Sequence, residues 1–526
     1  MYDFVIVGAG SAGCVLAARL SEDPGARVLL IEAGGRDRNP SIKIPAAFGR
    51  QFRTGLDWDF ATDPEPFCDG RSLYLPRGKG LGGSSSMNAM LYVRGHPLDY
   101  DRWAAAGASG WGWKGIRPYF LRAEDNARGA SEHHAVGGPL RVEDPRSPRP
   151  LTGRFLAACE QAGIPRISDY NGPEQDGAAL AQVTQRNGRR WSTADAYLRP
   201  ALGRPNLDLV TGAQVLGVEL RDGRATGVRY STRRGGAQVA AGAEVVLAAG
   251  SFGSPQLLLL SGIGPAGDLA SLGITVAADL PGVGSNLQDH PYLVSVWDVP
   301  GGGSLADAER PKALLEYLLR RTGPLTSTVA EAFAFVRSRP GLAQPDLQFH
   351  FAPAYFVENG FEEYDGHAIT MGPVLVAPRS RGTLRLRSAD PTAKPRIVTN
   401  SLAEPEDVAA LIAGTRLTRE IAATGPFAEV LGRELFPGPE VDSNAELEDD
   451  LRRRVELIYH PVGTCRIGTD EDAVVGPDLR VRGVDGLRVV DASVMPTIPS
   501  GNTNAPTIAV AERGADLIKG LATPGS

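Results

Sequence analysis

Six residues near the start of the chain, Gly8-Ala9-Gly10-Ser11-Ala12-Gly13, narrow its folds more than any other stretch. Before them stands Phe4-Val5-Ile6-Val7, a continuous apolar run of the kind a central parallel strand needs when both its faces are covered. After them, 14–20 is small and apolar and reads as a helix, and 27–31 reads as a second strand closed by Glu32. Each glycine then has a reason: Gly8 permits the tight turn, Gly10 lets a pyrophosphate approach the backbone, and Gly13 lets helix and strand pack closely. Glu32 follows the last glycine by about twenty residues, where a carboxylate can bind ribose hydroxyls. Strand, glycines, helix, strand and acid in that order predict a dinucleotide-binding unit, with Ser11 and Ala12 opening the helix and Ala33 beside the acid. The unit alone does not separate a flavin from a nicotinamide cofactor, and a ligand-free glycine turn is its plainest alternative.

With 526 residues the chain exceeds one ordinary domain. A net charge of -6 and a pI near 5.8 argue against nucleic acid as main partner. Cys14, Cys68, Cys159 and Cys465 form no CxxC pair and no metal spacing, so a reduced, cytoplasmic chain without a metal is expected. A strand starting at residue 3 leaves no room for a signal segment. Apolar runs such as 257–260 are far too short to span a bilayer, which leaves only peripheral membrane contact open.

Further along, 76–88 carries too many glycines and hydroxyls for a core element and is pinned by the apolar pattern resuming at 87–94; its N–H groups suit a second part of an extended cofactor. A helix is expected over 190–198 with Ser192 as cap, and strands over 207–210, 213–220 and 226–230, broken by the hairpin signal Asp222-Gly223. Another buried strand, 243–250, leads to a helix from Ser254 with Pro255 in its first turn. The second GxGxxG, 262–267, follows a helix rather than a strand, so Gly262 reads as a C-cap and no NAD(P)H site is expected there. Near the end come His460, a strand at 487–491, a loop holding Asn502, and a helix over 506–519 with Asn504 as cap. That segment delivers a base, a carboxamide and a positive helix end.

These motifs resemble the glucose-methanol-choline (GMC) family of flavin oxidoreductases over nearly the whole chain: Gly8 to Gly13 with Glu32, the loop 76–88, the stretch 250–265, and the closing His460 and Asn502 segment, nearest to the bacterial alcohol dehydrogenase and choline dehydrogenase-like branch. The resemblance implies a fold of α/β plus α+β class. A Rossmann-like FAD-binding domain (1–291, with a β-rich insertion near 150–240, resumed at 451–526) would interleave with a substrate domain at 292–450 built on an antiparallel sheet with helices. It implies FAD touched by Gly83, Ser84, Ala249, Asp491, Ala492 and Thr503, with Val215 at the adenine and Asn88 and the backbone near Met90 along the isoalloxazine. No histidine occurs in 72–77, so FAD is expected to be non-covalent.

By resemblance His460 would take the alcohol proton, as an imidazole suits near neutral pH, and Asn502 would hold the substrate oxygen while a hydride leaves for flavin N5. The expected reaction converts primary alcohols to aldehydes, with oxygen, a quinone or another carrier as electron acceptor. Glu331, His350 and Tyr459 are substrate-pocket candidates, and Glu331 could face a cation such as choline. His96, His133, His134, His290 and His367 read as structural or exposed. The rivals are a choline-specific enzyme, a hydroxynitrile lyase on the same fold, a non-catalytic FAD scaffold and an NAD-dependent dehydrogenase.

Overall fold

The opening strand, Tyr2–Val7, lies inside a seven-stranded sheet because its Val5, Ile6 and Val7 are buried and both its edges are paired. The computed structural model describes residues 1–232, 235 and 237–523. In the sheet, Leu207–Thr211, Val28–Glu32, Tyr2–Val7 and Ala237–Leu247 run parallel in that order, followed by the antiparallel Arg224–Thr232 and Ala213–Arg221. Leu487–Val489 pairs with the end of Ala237–Leu247, so the closing segment returns to the first sheet. All the parallel strands point the same way, so the helices that follow them, Ser11–Leu20 and Gly250–Leu260, start at one shared edge.

The second sheet is built on the order Glu434–Phe436, Ser295–Asp298, Ala368–Leu375, Leu347–Ala352, Ala332–Val336, Gly177–Leu180, with every neighbour antiparallel. The piece expected as one β-rich insertion at 150–240 therefore divides: Gly177–Leu180 joins the second sheet, and Leu207–Thr211 onward joins the first. Glu456–Leu457 is still in the second sheet, so the chain rejoins the first only at Leu487–Val489 and not at 451. Strand periodicity shows which face is buried, not which edge is paired, and that is why these divisions were not visible beforehand.

Local expectations hold where turn chemistry decides them. Asp222 and Gly223 both have positive φ, 51° and 75°, as a two-residue hairpin turn requires. Ser192 bonds Asp195, but 194–198 forms a π turn before the short helix Arg199–Ala201. The helix expected from Ser254 begins at Gly250, which places Pro255 inside it. Proline frees the carbonyl of Ser251 four residues earlier, and the Thr464 hydroxyl donates to that carbonyl at 2.7 Å. A side chain from the closing segment thus completes the helix.

The final helix is Asn504–Lys519, two residues longer at its start than expected, with Thr503 at the cap. Asn504 is not the cap: its Oδ1 accepts from the Ser11 hydroxyl at 2.7 Å, joining the last helix to the first. Farther along, the fully buried carboxylate of Glu512 takes Arg19 at 2.9 and 2.8 Å, Arg122 at 2.7 Å and the Tyr197 hydroxyl at 2.8 Å. Removing that carboxylate takes the buried acceptor from both guanidinium groups and from the Tyr197 hydroxyl, leaving Arg19 only Glu22 and Arg122 only Asp516 and a backbone carbonyl. Glu512→Ala should lower stability by about 3 kcal/mol, seen as an earlier thermal transition of the purified protein; an unchanged transition would count against this anchor.

Candidate active site

Three helix N-termini meet at one cavity of about 530 Å³: its walls include Ser11, Gly250 and Asn504, the first residues of their helices. Free N–H groups and the positive ends of three helix dipoles make such a place suit an anionic group. Two glycine loops clasp each other beside it. The Gly82 N–H donates to the Ala9 carbonyl at 2.8 Å, and a Cβ on Gly83, whose φ is +50°, would lie 2.6 Å from Gly10 Cα. The loop at 76–88 is therefore a wall of the cavity and not a slack linker. At Gly13 an added Cβ would stand 1.8 Å from the Gly8 carbonyl oxygen, so this glycine serves helix–strand packing.

Of the residues expected to hold the cofactor, Gly8, Gly10, Ser11, Ala12, Glu32, Ala33, Gly83, Ser84, Asn88, Val215, Ala249, Asp491, Ala492, Asn502 and Thr503 all line this one cavity. Glu32 is fixed by the Ala9 N–H at 2.8 Å and the Gly34 N–H at 2.7 Å; burial raises its carboxyl pKa, and these donors act against the rise. Asp491 accepts from the Gly250 N–H at 2.8 Å and the Ser254 hydroxyl at 2.6 Å, pinning the closing strand to a helix start. Gly13 does not line the cavity. Nor does Met90: its N–H goes to Asn88 Oδ1 at 3.0 Å, and its carbonyl accepts from the Thr184 N–H. A long cavity wall of small residues, backbone N–H groups and helix starts fits a dinucleotide, with its pyrophosphate at the glycines.

His460 sits at the cavity with Asn502, His350 and Tyr459. Asn502 Nδ2 is 3.2 Å from His460 Nε2, while Asn502 Oδ1 accepts from Gln348 Nε2 at 3.4 Å. Because the carboxamide nitrogen can only donate, Nε2 of His460 carries a lone pair. Its proton is then on Nδ1, which lies 3.0 Å from His290 Nδ1 and donates there. Asp289 holds both histidines by the backbone: one carboxylate oxygen accepts the N–H of His290 and of His460, each at 2.7 Å. Burial lowers the His460 pKa well below its usual 6.5, with His290, His350 and Arg77 adding to the effect. His350 is lowered to about 3 by burial, and its Nε2 has no partner among the described residues.

His290 is therefore no bystander, contrary to the reading of it as structural or exposed. Asp289, Gln348 and Arg190 were also missed; the Arg190 guanidinium holds Asn88 Oδ1 at 2.8 Å. A paired Asp-His in a turn-rich corner was the only local signal. Glu331 departs from expectation in the other direction. It is buried away from the cavity, and its carboxylate accepts from Ser327 and Thr152 hydroxyls, both at 2.6 Å, and from the Arg149 N–H at 2.7 Å. Those donors come from the loop at Ser327 and from the start of the helix Pro150–Gln161, which Glu331 ties together, so no substrate is needed to satisfy it.

Family models for GMC oxidoreductases match residues 2–292 and 378–511. The chain belongs to the GMC oxidoreductase family. It is 45% identical over 527 residues to "Alcohol dehydrogenase [acceptor]" of Pseudomonas putida, covering 98% of this chain and 96% of that one. It is 43% identical over 535 residues to human "Choline dehydrogenase, mitochondrial", covering 99% and 90%. The crystal structure of pyridoxine 4-oxidase from Mesorbium loti superposes with a TM-score of 0.91 at 34% identity, covering 99% and 100%. This GMC protein is accordingly an FAD-dependent oxidoreductase acting on CH–OH donors.

The clasp of the two loops yields a test that needs no substrate. Gly83→Ala should lower the FAD content of purified protein by at least about tenfold, since a clash with backbone at positive φ costs well over the ~1.4 kcal/mol that factor represents. Ser85→Ala, in the same loop but with its hydroxyl on the Gly82 carbonyl and Thr193 and not at the cavity, should keep its flavin absorbance; loss of flavin from both variants, or from neither, would contradict the assignment.

Proposed function

We propose that this GMC oxidoreductase converts uncharged primary alcohols to aldehydes, with His460 accepting the hydroxyl proton and Asn502 holding the hydroxyl oxygen. The observation that carries the reading is the pair His460 Nε2 and Asn502 Nδ2, 3.2 Å apart at the wall of the cofactor cavity. An alcohol oxygen placed beside the pair, within reach of both nitrogens, meets a lone pair for its proton and an N–H for the charge that develops. Non-covalently bound FAD supplies the acceptor for the hydride. The domain division of the sequence reading is kept with the amendment that Gly177–Leu180 and Glu456–Leu457 serve the substrate side.

Among the described residues that line the cavity no carboxylate is free, which argues for uncharged substrates. Glu32 and Asp491 are the acids among the cavity-lining residues, and both are engaged by backbone and serine donors. Glu331 points elsewhere, and the Arg77 guanidinium lines the cavity instead. Phe48, Phe52, Phe356 and Tyr459 offer apolar area, which suits an alkyl or aryl chain. A trimethylammonium group would find aromatic faces but no opposite charge. This favours the activity in the name of the Pseudomonas relative over that of the human one.

Two measurements follow. Anaerobic addition of benzyl alcohol or 1-butanol to the holoenzyme should bleach the flavin, choline should do so far more slowly, and His460→Ala should slow bleaching by about 10²-fold or more. Turnover of a hydroxynitrile with no bleaching by any alcohol would instead establish the lyase reading. The second concerns pH: the neutral imidazole is the working form, and its pKa is held below 6.5. Activity, as kcat/KM, should therefore persist as pH falls through 6.5 and decline only below it; an acid limb at or above that value would contradict the assignment.

A further inference from the structure

The helix Pro311–Arg320 is turned inside out relative to an ordinary surface helix. Leu314, Leu315, Leu318 and Leu319 fall at i, i+1, i+4 and i+5, one stripe of a helix, and are 47%, 58%, 57% and 74% exposed. Its inward face rests instead on Ala313 and Tyr317, the two buried residues of the helix. Exposed large apolar residues elsewhere among the described residues, such as Phe67, Val136 and Val276, are scattered, whereas these four are contiguous. Single exposed apolar residues are ordinary; a contiguous leucine face marks a surface that binds something.

Charge indicates what it binds. The chain carries a net charge of -6, yet cations surround this stripe. Lys312 and Arg320 are exposed on the helix itself, and Arg321 ends it with its guanidinium 4.6 Å above the Tyr317 ring. Beside that end lies the hairpin tip at Gly188, where an added Cβ would stand 2.6 Å from the Arg321 carbonyl and 3.2 Å from Arg146 Cδ, bringing exposed Arg146 and Arg189 alongside. Of the nearby acids, Asp307 takes Arg149 at 2.9 Å and Arg310 at 3.2 Å, and Glu316 accepts from the Thr322 hydroxyl at 2.8 Å; Glu309 stands exposed before the helix and is outnumbered by Lys312, Arg320, Arg321, Arg146 and Arg189. Leucines facing outward with a rim of lysine and arginine are the pattern of a helix lying in the interface of an anionic membrane. Among the described residues no helix is long and apolar enough to cross one.

We propose that the helix Pro311–Arg320 docks this protein on the surface of an anionic phospholipid bilayer. The docked face would adjoin the active site. Shortly after the helix, Thr328, Val329 and Ala330 line the cofactor cavity, and the Tyr317 hydroxyl reaches the Lys43 carbonyl at 3.4 Å, next to the turn Pro45–Gln51 whose Phe48 lines it too. A bilayer at that face lies next to the cavity wall, where an apolar reactant dissolved in lipid has the shortest path.

The test is flotation of the FAD-loaded full chain with vesicles of phosphatidylcholine alone or mixed with phosphatidylglycerol at about three to one, where each basic residue near the surface adds to binding. The protein should float with the anionic vesicles, weakly with the neutral ones, and less at high salt. Leu315→Ser with Leu319→Ser, and separately Lys312→Glu with Arg320→Glu, should each cut the bound fraction's partition coefficient at least about tenfold, while flavin absorbance and activity on a water-soluble alcohol stay unchanged. Failure of the wild type to float, or flotation indifferent to both variants, would overturn the proposal. So would sedimentation velocity showing a dimer that the leucine variant splits into monomers, since the stripe would then face a second copy.

Discussion

The docking of the last helix against the first is the constraint on which the active site depends. Ser11 and Asn504, and Arg19 and Glu512, are each separated by 493 residues in sequence and joined by hydrogen bonds of 2.7 to 2.9 Å. The first helix needs its start free for an anion, because that is where the opening glycines leave unpaired N–H groups. Bringing the second helix start to the same cavity adds its positive end there and carries Asn502 and Thr503 with it. A third start, at Gly250, is fastened to the closing segment through Asp491 and through the Thr464 hydroxyl on the carbonyl that Pro255 leaves free. The closing segment is thus held by polar contacts that only it can supply.

The same burial that secures the cavity sets its electrostatics. His460 is enclosed among His290, His350 and the Arg77 guanidinium, and a second positive charge there is opposed both by lost solvation and by those neighbours. The ring stays neutral, and the hydrogen bonds to either side of it decide which nitrogen is bare. Asp289 contributes indirectly: with one carboxylate oxygen on two backbone N–H groups it keeps the two imidazoles in register. Burial raises its own pKa to about 7, against the pull of Arg77 and those two donors. On the function proposed above, this one arrangement would prepare His460 as a base.

Much of this was legible in the chain because glycine, proline and apolar runs act locally. The cofactor end could be read from Gly8 to Glu32 since each residue there has a steric or hydrogen-bonding reason that does not depend on distant partners. Asp222-Gly223 was legible for the same reason. The substrate end was not. Glu331 looks like a ligand in sequence, and only the fold shows that Ser327, Thr152 and Arg149 already occupy its carboxylate. His290 looks incidental until His460 arrives from a segment 170 residues away. The pairing of Gly177–Leu180 with Ala332–Val336 is set by long-range contact that no periodicity encodes. The outward orientation of the leucines of Pro311–Arg320 appears only in three dimensions.

The most direct measurement of the central claim is an X-ray structure of the FAD-loaded protein soaked with a non-oxidisable tertiary alcohol. The account predicts that the alcohol oxygen lies within hydrogen-bond reach of both His460 Nε2 and Asn502 Nδ2, on the flavin face where hydride would transfer. An alcohol bound elsewhere, or an imidazole that presents Nδ1 to the cavity and leaves His290 unpaired, would contradict it.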